Sequence, residues 1–220
     1  MINLAKNVDF NIISTGSKGN AVIINSGIMI DCGVPFKALK NHYRLLKLVL
    51  LTHIHSDHFN RATIKKLAFE RPSLRFGVPE WLVGDVVGCG VSKGNIDVYG
   101  MDSTQRYEGF CAVHTYPLVH DVPNCAYSIG LCGCYVFYAT DTNNLDGIEA
   151  KNYDLYLVEA NYTEPDILER IKTKQTAGEY VYEWDVLKNH LSKEKAAEWI
   201  YRNAGQNSMY VYLHGHESKE

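Results

Sequence analysis

Thr52-His53-Ile54-His55-Ser56-Asp57-His58 sets three histidines and an aspartate directly behind a nearly all-apolar run, residues 46–52. A nearly all-apolar run of that length, rich in Leu and Val, reads as a strand buried on both faces. The polar cluster therefore falls at the end of a buried strand. Imidazole nitrogens and carboxylate oxygens are the ligands of zinc and related divalent ions. In an extended segment residues 53, 55 and 57 point to one side, and a turn after Ser56 lets His58 reach a second ion beside Asp57. One short loop then offers two binding directions, which a dinuclear site requires. The competing reading is a polar surface loop that happens to be rich in histidine. With nine histidines in 220 residues, three of them beside an aspartate in so short a stretch argue against it.

The chain on either side supplies a frame of mostly strands. Residues 10–14 read as a strand, 15–20 as a polar, glycine-bearing turn, and 21–25 with 28–31 as a hairpin around Ser26-Gly27. Residues 62–70 carry Ile64, Leu67 and Ala68 on one helical stripe. A short strand at 75–78 and a short helix at 79–87 follow. Segments 96–99, 105–107, 112–117, 126–131 and 135–139 look extended, with a hairpin turn at Gly130-Leu131-Cys132-Gly133. Residues 155–159 form another buried strand, 167–173 and 193–204 read as helices, and 208–213 as a last strand. Strands with helices interspersed in both halves suit two mixed β-sheets packed face to face with helices outside, a four-layer α/β sandwich of the αββα kind. Composition stays even and no linker interrupts it, so residues 1–220 read as one domain.

Bulk properties narrow the chemistry. Hydrophobic residues are 46% and charged residues 21%, ordinary for a globular protein. The net charge of -3 gives no global basic field for nucleic acid or membranes, though a local basic rim is compatible with it. No export signal and no run of eighteen apolar residues is visible, and six cysteines read as reduced thiols, so the expectation is a cytoplasmic protein with no membrane partner. Cys132-Gly133-Cys134 lacks the second ligand pair of a zinc framework and reads as packed thiols. The turn at 15–20 lacks the Gly-Lys-Ser/Thr of a phosphate-binding loop.

With these residues in hand the chain resembles the metallo-β-lactamase fold superfamily, whose hallmark is His-x-His-x-Asp-His after a buried strand. Ser14-Thr15-Gly16-Ser17-Lys18-Gly19-Asn20 and Ile30-Asp31-Cys32-Gly33 look like its opening turn and Asp-x-Gly motif. More narrowly the chain resembles the small single-domain WalJ/YycJ-like group, linked to DNA exonuclease activity, and its later motifs are similar to those of the tRNase Z and ribonuclease J branches. Carried over, the resemblance implies that His53 and His55 bind a first ion with His120, and that Asp57 and His58 bind a second. Asp141 would bridge the two, and His214 would be the last ligand. His120 is preferred to His114 because Asp121 follows it, and His214 is preferred to His216. Glu159, in Leu157-Val158-Glu159-Ala160-Asn161, and His190, in Asn189-His190-Leu191-Ser192, resemble the tRNase Z pair in which Glu orients His.

The implied activity is that of a dinuclear metal-dependent hydrolase, with zinc the default and manganese or iron also fitting. Two ions acidify a shared water toward a pKa of about 7. Asp57 orients the nucleophile, and His190, held by Glu159, steadies charge or protonates the departing oxygen. A phosphodiesterase or nuclease of the DNA exonuclease type leads. A small-molecule hydrolase of the same fold, such as a thioesterase or cyclic phosphodiesterase, stands behind it, as does a non-catalytic metal-binding module. Tyr182 and Trp184, in a long segment at 179–187, are read either as a loop packed by its own aromatics or as a lip on which bases stack.

Overall fold

The computed structural model describes residues 8–215. The chain divides into two compact units, Asn7–Arg106 and Tyr107–Glu220, and each is built on one mixed sheet.

The first unit carries a six-stranded sheet in the order β1-β2-β3-β4-β5-β6. Its strands are β1 (Phe10–Ser14), β2 (Ala21–Ile24), β3 (Ile28–Ile30), β4 (Leu48–Leu50), β5 (Arg75–Pro79) and β6 (Ile96–Tyr99). The first three pair antiparallel and the rest parallel. Helix α1 (Arg61–Glu70) buries Ile64 and Leu67 and starts at Asn60, whose side chain accepts from the Thr63 amide. That cap satisfies one of the amides left open in the first turn. A short 3-10 turn and α2 (Val83–Gly88) occupy the expected helical stretch after β5. Met29, Val49, Ile64, Leu67 and Phe76 meet in the core.

β4 is shorter than the apolar run that predicts it, and the reason is local. Leu51 still donates to the Gly77 carbonyl, but the Thr52 amide donates to the Asp31 carboxylate instead of to a neighbouring strand. The ladder stops where side-chain chemistry takes over.

The second sheet runs β12-β11-β10-β9-β8-β7, from β7 (Thr104–Tyr107), β8 (Cys111–Leu118), β9 (Asn124–Leu131), β10 (Cys134–Ala139), β11 (Leu155–Glu159) and β12 (Met209–Leu213). β8, β9 and β10 pair antiparallel, while β10, β11 and β12 are parallel. Helix α3 (Glu164–Ala177) has Pro165 in its first turn and ends on Gly178 at φ 69, a left-handed C-terminus that glycine adopts without strain. Helix α5 (Lys193–Asn203) buries Ala196, Ile200 and Asn203, four and three residues apart, and is capped by Ser192. Its buried face joins the core of Phe137, Tyr156 and Val158.

Two local readings change. The segment expected as a loop at 179–187 holds a helix, α4 (Glu183–Asn189), whose Val186 and Leu187 pack on Ile167 and Ile171 of α3. Seven residues are too few to print a helical period in the sequence. Cys132, read as a packed thiol, is exposed at φ 52 in the β9–β10 turn, whereas Cys134 is buried. No helix among the described residues is long and apolar enough to cross a membrane.

The cysteines give a direct check of this pattern of burial. Burial pushes the Cys111 thiol up to about 12 and raises Cys32 further still, so neither forms thiolate at pH 8. Iodoacetamide on the folded protein should label Cys132 alone, as read by peptide mass spectrometry. The five buried cysteines should label only after denaturation.

Candidate functional site

The His53–His58 loop is held against two other loops of the first unit. Cys32 donates to the His58 carbonyl at 2.8 Å and its own carbonyl accepts from Asn60 at 2.9 Å. Asn20 donates its amide to the Asp57 carbonyl at 2.6 Å, adds its side-chain Nδ2 to the same oxygen at 3.2 Å, and accepts from Gly33 at 2.9 Å. Gly33 admits this stacking, because a Cβ there would fall 1.6 Å from the Asp57 carbonyl oxygen. Within the loop, the His58 and Phe59 amides turn back onto the His55 carbonyl. The result brings the His53 ring 4.9 Å from His55 and 4.2 Å from His58.

Asp31 fixes which nitrogen two of these rings present. It follows β3 at φ 60 and is fully buried. Its Oδ2 lies 2.7 Å from His58 Nδ1, and its Oδ1 accepts from the Thr52 amide and hydroxyl, both at 2.9 Å. The Thr52 hydroxyl, having given its proton to Asp31, accepts from His53 Nδ1 at 2.9 Å. Both imidazoles thus carry the proton on Nδ1 and keep a lone pair on Nε2, the state needed to ligate an ion. In this structure the Asn20 amide stands 2.7 Å from His58 Nε2, and Asp57 Oδ2 lies 3.5 Å from it.

The second unit converges on Glu159, the last residue of β11 and fully buried. Its Oε2 accepts from the Thr142 amide at 3.0 Å and its Oε1 lies 2.5 Å from His190 Nδ1 and 3.4 Å from His214 Nδ1. Asp141, beyond β10 at φ 53, brings Oδ1 to 3.3 Å from His190 Nδ1 and 3.4 Å from His214 Nε2. His214, directly after β12, is also at φ 53, and the Asn161 side chain reaches both its Nδ1 and its carbonyl. Left-handed backbone at non-glycine residues costs of order 1–3 kcal/mol each and gathers at functional sites. Asp31, Asp141 and His214 share it just beyond strand ends. Donor atoms of Asp141, Glu159, His190 and His214 all lie within 4.8 Å of one another.

His120, in the loop after β8, points Nδ1 at the Asn189 carbonyl at 3.1 Å and Nε2 at Asp121 at 3.1 Å, with its ring 5.5 Å from that of His190. Burial lowers its pKa against the pull of Asp141 and Asp121. His114 instead lies mid-strand against Tyr116. For His190 burial also disfavours the charge, but the hydrogen bonds to Asp141 and Glu159 outweigh it and lift the pKa to about 10. Glu159 moves the opposite way: burial raises it, yet bonding to His190 and His214 holds it below its ordinary value.

Within their own units, then, His53, His55, Asp57 and His58 come together, and so do His120, Asp141, Glu159, His190 and His214. Tyr182 and Trp184 are partly exposed around the start of α4, the Tyr182 ring lying 3.7 Å from the Lys174 ammonium. His216 lies outside the described residues. Asp31, Asn20 and Asn161 were not read as participants. Asp31 meets His58 across 27 residues, a pairing no local pattern contains, and only its Asp-Cys-Gly setting hinted at it. The donors are imidazole and carboxylate throughout, and the nearby Cys32 thiol stays protonated by burial. That chemistry fits a borderline or hard divalent cation.

The family described as Beta-lactamase superfamily domain matches residues 27–214, which contain every one of these ligand candidates. The chain belongs to the metallo-β-lactamase fold superfamily. That superfamily fold is hydrolytic, and several solved structures share it. YhfI from Bacillus subtilis, a metallo-β-lactamase fold protein, superposes with a TM-score of 0.71 at 16% identity, covering 96% of this chain and 87% of that one. The short form of human tRNase Z gives 0.68 at 15% identity, covering 94% and 93%. A diphosphatase of the PhnP family gives 0.65 at 12% identity, covering 94% and 85%. At these identities the likeness is one of fold. No curated protein is significantly similar to the chain in sequence.

Two outcomes follow from the orienting carboxylates. Asp31→Asn should fold but bind zinc roughly 10–100-fold more weakly, measured by competition with a chromogenic chelator. In chelator-treated protein the His190 ring should titrate near pH 10 by NMR, and Glu159→Gln should bring it down toward about 6.5. Because the folded pKa is the raised one, the linked stability is complete below about 6.5 and is lost as pH rises through about 10.

Proposed function

We propose that the protein is a dinuclear metal-dependent phosphodiesterase, a nuclease of the DNA exonuclease type. In this reading His53, His55 and His120 would hold one divalent ion and Asp57 and His58 a second, with Asp141 and His214 completing the donor set. Zinc suits these donors best, and manganese or iron suit them next. When bound, such ions polarise a phosphoryl oxygen and acidify water.

The observation that carries the reading is the Glu159–His190 contact at 2.5 Å beside Asp141. An imidazole held between two carboxylates stays cationic at neutral pH, with Nδ1 engaged and Nε2–H left to donate. A fixed cationic donor is matched to the negative charge spread over phosphoryl oxygens in the transition state. Asp57, on its loop beside His58, orients the nucleophile. The exposure of Trp184 supports a role in stacking bases, with Tyr182, whose ring carries the Lys174 ammonium, beside it. Six thiols and no disulfide suit a reducing compartment such as the cytoplasm.

A small phosphodiester is the second reading, favoured by charge. Residues 164–190 carry Glu164, Asp166, Glu169, Glu179, Glu183 and Asp185 against Arg170, Lys172, Lys174 and Lys188, which is a poor electrostatic footprint for a polyanion.

Metal content by mass spectrometry, paired with assays on bis-p-nitrophenyl phosphate, single- and double-stranded DNA and a thioester, separates these readings. The expected result is two ions per chain and turnover of phosphodiesters but not of the thioester. Asp141→Ala should lose metal and activity together. His190→Ala should keep its metal and lose turnover by about 10²–10⁴-fold. Retention of full turnover by His190→Ala would remove the reading.

A further inference from the structure

α4 ends where the site begins. Its last carbonyls, which an α-helix leaves without partners of its own, are both taken up by residues around the candidate ligands. Lys188 O accepts from the Asn143 side chain at 2.7 Å, and Asn189 O from His120 Nδ1 at 3.1 Å. Asn143 in turn donates its amide to the Val119 carbonyl at 3.1 Å, tying the loop after Asp141 to the loop before His120. The next residue after the helix is His190.

The other end of the helix is fastened by one buried charge. Glu183, the first residue of α4, is fully buried. Its Oε1 lies 2.8 Å from Lys174 Nζ and 3.2 Å from Arg170, and its Oε2 is 3.0 Å from Lys174 Nζ. Both cations stand on α3, one turn apart. Removing one partner of a buried pair strands the other and is far more disruptive than losing a surface pair. Seven residues at about 1.5 Å rise make α4 a rod of roughly 10 Å, so a tilt at Glu183 is delivered to Asn189 and His190.

We propose that Glu183 is a positioning residue of the site, acting through α4 to hold the Asn189 carbonyl under His120 and to aim His190. This rests on His120 as a ligand and His190 as the cationic donor. The Asn189 carbonyl draws the His120 proton to Nδ1 against Asp121, which lies 3.1 Å from Nε2, and so favours the tautomer whose Nε2 can ligate an ion, a job that elsewhere in the chain falls to Asp31. Glu183 does so without touching either histidine.

The test compares Glu183→Gln and Lys174→Met with Asp185→Asn, an exposed change on the same helix. The first readout is the His120 tautomer in long-range proton–nitrogen NMR spectra of chelator-treated protein. The second is zinc affinity by chelator competition. Glu183→Gln should keep its circular dichroism, lose the predominance of the Nδ1–H tautomer, and bind its weaker zinc about tenfold less tightly. Asp185→Asn should match wild type in both. If Glu183→Gln lowers thermal stability yet leaves tautomer and zinc affinity unchanged, Glu183 is only a strut and the proposal is wrong. Should Glu183→Gln fail to fold, Lys174→Met decides by the same two readouts. If wild type itself binds no zinc, the metal reading fails, while the tautomer comparison still decides the part played by Glu183.

Discussion

A carboxylate with no solvent to shield it governs the second unit. Glu159 sits at the end of a strand flanked by parallel neighbours, and burying its charge costs several kcal/mol unless donors compensate. Those donors are the Thr142 amide, His190, and the Leu191 amide at 3.4 Å, with the His214 ring beside them. They come from the loop after β10, the end of α4 and the loop after β12. None of these loops can relax without exposing a buried charge to an unfavourable environment. The same acid that gathers the histidines therefore fixes the backbone around it. Asp31 does the equivalent in the first unit, with Thr52 and His58 as its donors.

Both acids occupy the point where a strand gives way to a loop. Parallel neighbours end at similar heights, so residues just beyond them gather at one edge of a sheet. Asp31, Asp141 and His214 adopt left-handed backbone there. That conformation turns the chain sharply enough to direct a side chain along the sheet edge instead of continuing the ladder. The conformational cost is borne by sheets whose strands, such as β2, β3, β4 and β11, are buried throughout.

Much of this was legible in the sequence where the information is local. The apolar run before His53 gave a buried strand, and His53, His55, Asp57 and His58 stood out as ligand candidates through residue type alone. Most strands of both sheets followed from alternation and turn residues. Glu159 and His190 were reached only through resemblance, because the pair spans 31 residues. Asp31 escaped assignment for the same reason. α4 was hidden by its brevity, and the supporting parts of Lys188 and Asn189 could not be read at all. They act through backbone carbonyls, which every residue possesses and no side-chain pattern encodes.

The histidines also explain why one residue type can serve two roles in so small a space. His53, His58, His120 and His190 are all engaged through Nδ1, while Nε2 of His58 meets the Asn20 amide and that of His120 meets Asp121. What differs is the partner. His120 faces a neutral backbone carbonyl through Nδ1, and burial lowers its pKa against the pull of Asp141 and Asp121. His190 faces two carboxylates, and its pKa of about 10 keeps a proton on both nitrogens. A protonated imidazole has no lone pair to give an ion. Both rings stand among donor atoms close enough to form ligand clusters, His190 with two carboxylates at its Nδ1 and His120 with a peptide carbonyl. The distinction lies in the charge on the group behind the ring.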